Sequence, residues 1–394
     1  MSGAGDDRHL KPASRLVRGG RRAEWTGPVV NPPVWRASTH LYASDAERQA
    51  AGGNNADGQF FYGRRGAPTQ WALADALTGL EPQAHGTVLY PSGVAAVAGV
   101  MLAVLKPGDR LLMADNAYDP TRSMATGLLA RLGVETTFFD PRDLDGFAAL
   151  VAGARGVWLE APGSLTFEMC DVPAIAALAR DAGAVTMIDN TWASPLGFAA
   201  LDRGCDIVMM SLSKHVGGHS DLMMGSASAG KRWYAALRRV SHELGQVVSP
   251  DDAALAARGL RTMGVRLEAQ TRSALRIAQW LEAQPQIARV LCPMLPSDPG
   301  HELWRRDFTG GCGLFACVLA SDDPAASARV ADALQMFGIG YSWGGFESLA
   351  LPIRPADYRS VMPATDGAPA LRLSIGLEDE GDLIADLAQA LAQV

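Results

Sequence analysis

Between residues 62 and 210 the chain alternates short apolar runs with stretches of helical periodicity. The runs at 87–90, 110–114, 134–139, 157–159, 185–188 and 207–210 read as strands, largely apolar along their length as strands buried on both faces are. Between them, helices are predicted at 69–80, 94–105, 120–132 and 172–182, the first with Leu73, Leu77 and Leu80 on one face. This alternation predicts an α/β fold with a mainly parallel sheet covered on both sides. Beyond about residue 231 the pattern changes to long Ala- and Arg-rich helical stretches, a Pro-rich segment after residue 284, and then mixed elements. Strands are predicted there at 314–319 and 371–375, and helices at 325–336 and 383–394, which makes a smaller α+β domain. The predicted division is an amino-terminal arm (1–60), a large domain (61–250) and the smaller domain (251–394). The arm is rich in Gly, Pro and Arg, with few apolar runs, and is predicted to lie irregularly on a neighbouring subunit. Its Trp35, Leu41 and Tyr42 are too apolar for a free tail.

A length of 394 residues fits two domains, and 48% hydrophobic with 20% charged residues is a globular balance. The net charge of −7, with no basic stripe, argues against a nucleic-acid partner. No apolar run approaches the roughly 20 residues of a membrane span, and the amino terminus has no signal-peptide core. The five cysteines are irregularly spaced, as reduced cytoplasmic thiols are. His215 and His219 are four residues apart, but Gly217 and Gly218 between them disfavour a helical metal site, and no metal is predicted.

Only four of the 35 Lys and Arg are Lys, and Lys214 alone sits where a strand empties into a loop, in S-L-S-K-H-V-G-G-H-S-D. Lysine can lose its proton and act as nucleophile or base where arginine cannot. On this stretch alone a solvated loop lysine is an equal reading. Three further loops follow predicted strands. Y-P-S-G-V places Gly93 and Val94 at a helix start, where free amides suit a phosphate. D-N-A-Y-D-P-T places Tyr118 at a strand end. I-D-N-T-W places Asp189 after four apolar residues, where a carboxylate needs a buried partner. Phosphate cradle, aromatic ring, buried carboxylate and lysine together are what pyridoxal 5′-phosphate requires.

The stretches Y-G-R-R-G-A-P-T (62–69), Y-P-S-G (90–93), L-E-A-P-G-S-L-T-F-E (159–168), M-I-D-N-T-W-A (187–193), the lysine loop (211–221) and G-Y-S-W-G-G-F-E-S-L (340–349) resemble the Cys/Met-metabolism family of pyridoxal-phosphate enzymes. The resemblance runs from about Gln59 to the end of the chain. It implies the aspartate-aminotransferase-like fold (fold type I) and a homotetramer built from two dimers that share active sites. It implies that Lys214 is the Schiff-base lysine, Asp189 the pyridinium partner and Tyr118 the ring-stacking group and a possible proton donor. Gly93, Val94, Ser211 and Ser213 would hold the phosphate, joined by Tyr62 and Arg64 of the neighbouring subunit. Arg372 would clamp the substrate α-carboxylate, and Arg65 could serve a distal carboxylate.

Within the family the motifs resemble the β-lyases. Tyr341, before Ser342-Trp343-Gly344-Gly345, stands where γ-enzymes commonly carry an acid, and Ser164 stands where they usually carry Asn near the cofactor hydroxyl; Tyr341, Ser342 and Trp343 would contact the substrate, and Ser164 the cofactor. The implied reaction is β-cleavage of L-cystathionine, a step of methionine biosynthesis, in the cytoplasm. One departure is Ser123, where some bacterial β-lyases place an Asp against the distal ammonium; other cysteine S-conjugates are therefore candidate substrates. A γ-lyase or γ-synthase of the same fold, and a non-catalytic binding role, are the alternatives.

Overall fold

The computed structural model describes residues 7–53, 58–362 and 364–392. Its larger sheet, among these residues, has seven strands: β1 (Gly86–Tyr90), β2 (Arg110–Ala114), β3 (Glu135–Phe139), β4 (Gly156–Glu160), β5 (Val185–Asp189), β6 (Ile207–Ser211) and β7 (Gly225–Ala229). They lie in the order β1-β7-β6-β5-β4-β2-β3. β3, β2, β4, β5 and β6 pair in parallel, and β7 runs antiparallel between β6 and β1. Alternate residues of one strand feed opposite faces. Leu112 and Ala114 of β2, Val157 and Leu159 of β4, and Val208 and Met210 of β6 enter one core. Leu111, Met113, Trp158, Ile207 and Met209 enter the other, against the helix Gly93–Val104. Both faces are covered, which is why these runs are apolar throughout.

β7 is not predicted by the periodicity. Its sequence, Gly-Ser-Ala-Ser-Ala, has neither bulk nor alternation. Small residues are what its place demands: a Cβ on Gly225 would lie 2.4 Å from the carbonyl oxygen of Ser92. Its Ser228 pairs across the sheet with Thr87, hydroxyl to hydroxyl at 2.8 Å.

The smaller sheet contains β8 (Ile287–Leu291), β9 (Leu314–Leu319), β10 (Gly338–Ile339), β11 (Leu349–Ile353) and β12 (Ala370–Ser374), in the order β10-β11-β12-β9-β8. Of these, β9 and β12 fall where the pattern predicts strands. β11 carries Pro352, which demotes a run read from sequence. The helix Pro250–Glu282, capped by the Ser249 hydroxyl, joins the two parts. Its Leu260, Ile277 and Leu281 are fully buried and belong to the same core as Leu73 and Val208 on one side and Phe315 and Leu371 on the other. The two sheets therefore share one continuous apolar interface.

The amino-terminal segment departs from expectation. Residues 1–6 and 54–57 lie outside the described residues, but Pro12–Arg18 is a helix that packs on the helices Pro68–Leu80 and Pro250–Glu282 of this chain. Leu16 is buried in the main core. The Arg261 guanidinium donates to the carbonyls of Leu16 and Gly19 at 2.6 and 2.9 Å, and that of Arg15 to Gly79 at 2.9 Å. The apolar stripe is too short to register as a pattern. From residue 28 to 44 the segment stays largely exposed, with Val30 and Leu41 in the open.

Candidate active site

The carboxyl ends of β2, β4, β5 and β6 line one edge of the sheet, where ligands of open α/β folds bind. Asp189, the last residue of β5, lies beside Glu160 of β4 and Met209 of β6. Its Oδ1 accepts from the amide (2.9 Å) and the hydroxyl (2.5 Å) of Thr191; Oδ2 has no hydrogen-bond partner among the described residues. Burial pushes the Asp189 carboxyl up, against the Thr191 bonds and the Lys214 charge. Glu160 is pushed well up, first by burial and then by Asp189.

Thr191 is a site residue that sequence reasoning missed. Besides holding Asp189, its Oγ1 accepts from the Ser211 amide at 2.9 Å, which ties the carboxylate to the start of the lysine loop. A hydroxylic residue two positions after a strand-end Asp is the signal that could have found it.

Lys214 extends from that loop to Ser342, its Nζ donating to the hydroxyl at 2.6 Å and lying 5.5 Å from the Trp343 ring centre. Burial and the Arg372 charge lower its pKa to about 8, partly opposed by Asp189. Arg372 arrives from the middle of β12. Its Nη2 donates to the Ser342 carbonyl at 2.8 Å. Burial lowers its pKa to about 10, so it stays charged at neutral pH. Ser342 thus receives both cations, one on its hydroxyl and one on its carbonyl. It does so at φ +88°, in the left-handed region that a non-glycine residue enters only at a cost of about 1–3 kcal/mol. Trp343 packs edge-on against His215, while Tyr341 points outward, 88% exposed.

Tyr118 caps the helix Asp119–Met124, and its amide donates to Glu160 at 2.7 Å. Its half-exposed ring feels Glu160, Asp189 and Arg372; burial leads in raising its pKa, so the phenol keeps its proton. Ser164 sits on the neighbouring loop, its amide bound to the Asn116 carbonyl at 2.8 Å. The hydroxyl of Ser92 caps the helix Gly93–Val104 through the Ala95 amide, and the amides of Gly93 and Val94 make no hydrogen bond among the described residues. A Cβ on Gly93 would lie 2.9 Å from the Ser211 hydroxyl, so glycine is what lets this hydroxyl join the two amides.

Two free helix amides, a hydroxyl and a helix start form a fitting cradle for a phosphate. A buried carboxylate with one open oxygen fits a protonated ring nitrogen, and an amine that sheds its proton near pH 8 fits an aldehyde carbon. The residues present therefore fit pyridoxal phosphate.

Not every predicted residue joins the group. The Ser213 hydroxyl is turned to Met224, accepting from its amide at 3.0 Å and donating to its carbonyl at 3.3 Å. Arg64 and Arg65 line a separate cavity of about 280 Å³ with Arg238 and His242. There Arg64 donates to the His242 carbonyl at 3.2 Å and lies over the Tyr62 ring, and Arg65 covers Phe61. His215 and His219 turn to different carbonyls, those of Trp192 and Gly217.

Residues 13–392 match the family described as Cys/Met metabolism PLP-dependent enzyme. The chain belongs to this family. Its pyridoxal-phosphate dependence follows from that membership. The chain is 46% identical to a putative cystathionine beta-lyase of Rhizobium johnstonii, over 92% of this chain and 91% of that one. It is 42% identical to the cystathionine beta-lyase MetC of Escherichia coli, over 97% and 98%. The crystal structure of metB from Corynebacterium glutamicum superposes with a TM-score of 0.90 at 28% identity, covering 99% of both chains. The fold is thus that of the family's solved members, and a small amino-acid substrate suits the site. Among the described residues no helix is long and apolar enough to cross a membrane.

Proposed function

We propose that this chain is a carbon–sulfur β-lyase that converts L-cystathionine and water to homocysteine, pyruvate and ammonia. The observation that carries the reading is the meeting of Lys214 and Arg372 on Ser342. It puts a proton acceptor and a carboxylate clamp at the spacing of one residue, as β-elimination from an α-amino acid requires. The cystathionine beta-lyases among the relatives support the choice of substrate.

When bound, pyridoxal phosphate supplies the electron sink that makes the substrate Cα–H acidic. Arg372 takes the α-carboxylate with the guanidinium edge left free by Ser342. Lys214, held against Ser342 and Trp343, removes the Cα proton in its neutral form. Asp189, fixed by Thr191, would offer its open oxygen to the cofactor's ring nitrogen. The departing sulfur takes a proton from Lys214 or from the Tyr118 phenol. Gly93, Val94 and Ser211 hold the phosphate; Ser213 serves by shaping the loop through Met224. Ser164 and Tyr341 are the sequence markers that favour β- over γ-cleavage.

Tyr62 and Arg64 face away from their own Lys214 and complete the site of a neighbouring subunit, with Arg65 beside them for a distal carboxylate. The working unit is then a dimer, paired into a tetramer, acting in the cytoplasm. Residues 61–250 and 251–394 act as its large and small domains.

Product analysis tests the reading. Incubation of cofactor-loaded protein with L-cystathionine should yield homocysteine and pyruvate. Cysteine and 2-oxobutyrate would instead place the chain with the γ-cleaving enzymes.

A further inference from the structure

Asp115 follows β2 and is fully buried, yet it takes no part in the chemistry above. Its carboxylate is a hub between the two parts of the molecule. On the large-domain side the Arg122 guanidinium donates to Oδ1 at 2.7 Å and to the Asp115 carbonyl at 2.8 Å. On the small-domain side it collects the amides of Ser360, Val361 and Met362 at 2.8–3.1 Å and the Ser360 hydroxyl at 2.7 Å. Arg122 reaches the same hydroxyl at 3.2 Å and lies 3.9 Å over the Phe138 ring. Burial alone would raise this carboxyl; the donors from Met362, Val361, Ser360 and Arg122 overcome it and hold the pKa at about 2.

What the hub joins matters more than its strength. The turn at 359–362 belongs to the connection between β11 and β12, and β12 carries Arg372. Arg359, the first residue of the turn, donates to the Ser164 carbonyl at 2.5 Å and the Thr166 hydroxyl at 3.0 Å. Arg122 stands one turn into the helix that Tyr118 caps, with its amide on the Tyr118 carbonyl at 3.1 Å. One buried carboxylate therefore links the Tyr118 turn, the Ser164 loop and the strand bearing the carboxylate clamp.

We infer that Asp115 is a positioning residue for substrate binding: it seats turn 359–362 on the large domain and so sets the distance between Arg372 and the Lys214–Tyr118 side of the site. The inference rests on the lyase reading for its substrate, not for its geometry. The anchoring residues Asp189, Lys214, Gly93 and Ser211 lie outside the hub's hydrogen bonds, so retention of the cofactor should not sense the hub, although the Tyr118 and Ser164 loops touch it. Substrate bridges the two parts and should.

The test is Asp115→Asn in the cofactor-loaded protein, which keeps the shape and removes the charge. KM for L-cystathionine should rise about tenfold, the scale of one lost charge-assisted hydrogen bond, with kcat within about threefold. Affinity for glycine, which has a carboxylate but no leaving group, should fall in parallel. The cofactor should stay bound in the resting protein, and the amides of residues 360–362 should exchange hydrogen faster. Faster exchange with unaltered KM and glycine affinity would reduce the hub to a structural contact and overturn the inference; so would unaltered exchange. If Asp115→Asn does not fold, Arg359→Gln leaves the buried carboxylate paired and should weaken glycine in the same way. If the unmodified protein leaves cystathionine intact, the lyase reading fails, and glycine affinity with amide exchange still decides the inference.

Discussion

Lys214 is a lysine because its neighbours make it a weak base. Burial and the Arg372 guanidinium outweigh the attraction of Asp189 and lower its pKa to about 8. A lowered lysine pKa means more of the neutral, nucleophilic form at a given pH. In the cofactor-free protein, acylation of Lys214, followed by peptide mapping, should therefore increase through about pH 8. A midpoint near the ordinary lysine value would contradict the burial argument. Arg372 has a separate duty, because a point charge cannot make the paired bonds of a planar fork. Arg372→Lys should raise KM for cystathionine by about tenfold or more while the cofactor spectrum persists. Lys214, Asp189, Tyr118 and Arg372 were legible as residue types at strand ends or within a known motif. Thr191 was not, because it acts by bridging Asp189 to Ser211; Ser342 was named with its motif, but its backbone carbonyl, in a strained conformation, is a role that no side-chain pattern records.

At the scale of elements, the cradle depends on how closely β6 approaches the start of the helix Gly93–Val104. Contact at Gly93 leaves no room for a methyl group beside Ser211. Gly93→Ala should weaken cofactor binding about tenfold or more, measured by equilibrium dialysis, with little change in helix content, since alanine is the better helix former. Strands apolar on both faces announced themselves, whereas β7 did not. Its small residues answer to the Ser92 carbonyl and to Thr87, which lie far away in sequence. The amino-terminal helix escaped for a related reason. One buried Leu16 and the carbonyl bonds of Arg261 and Arg15 fix it, and such bonds leave no periodicity.

At the scale of the molecule, Arg64 and Arg65 line a cavity apart from Lys214, with the Tyr62 ring under Arg64, an arrangement that makes sense if chains complete one another's sites. Mixing Lys214→Ala and Arg64→Ala chains after joint unfolding and refolding should restore activity that neither variant has alone. Sites complete within one chain would leave the mixture inactive. The sequence by itself determined the parallel α/β sheet, the lysine loop and the strand-end carboxylate, because burial on both faces and the punctuation of turns are local properties. It also carried the family motifs. Only the tertiary structure decided that Lys214 and Arg372 converge on Ser342, that Ser213 turns to Met224, and that Asp115 binds turn 359–362. These are contacts between residues from 11 to 247 positions apart, created when the two sheets close over one core.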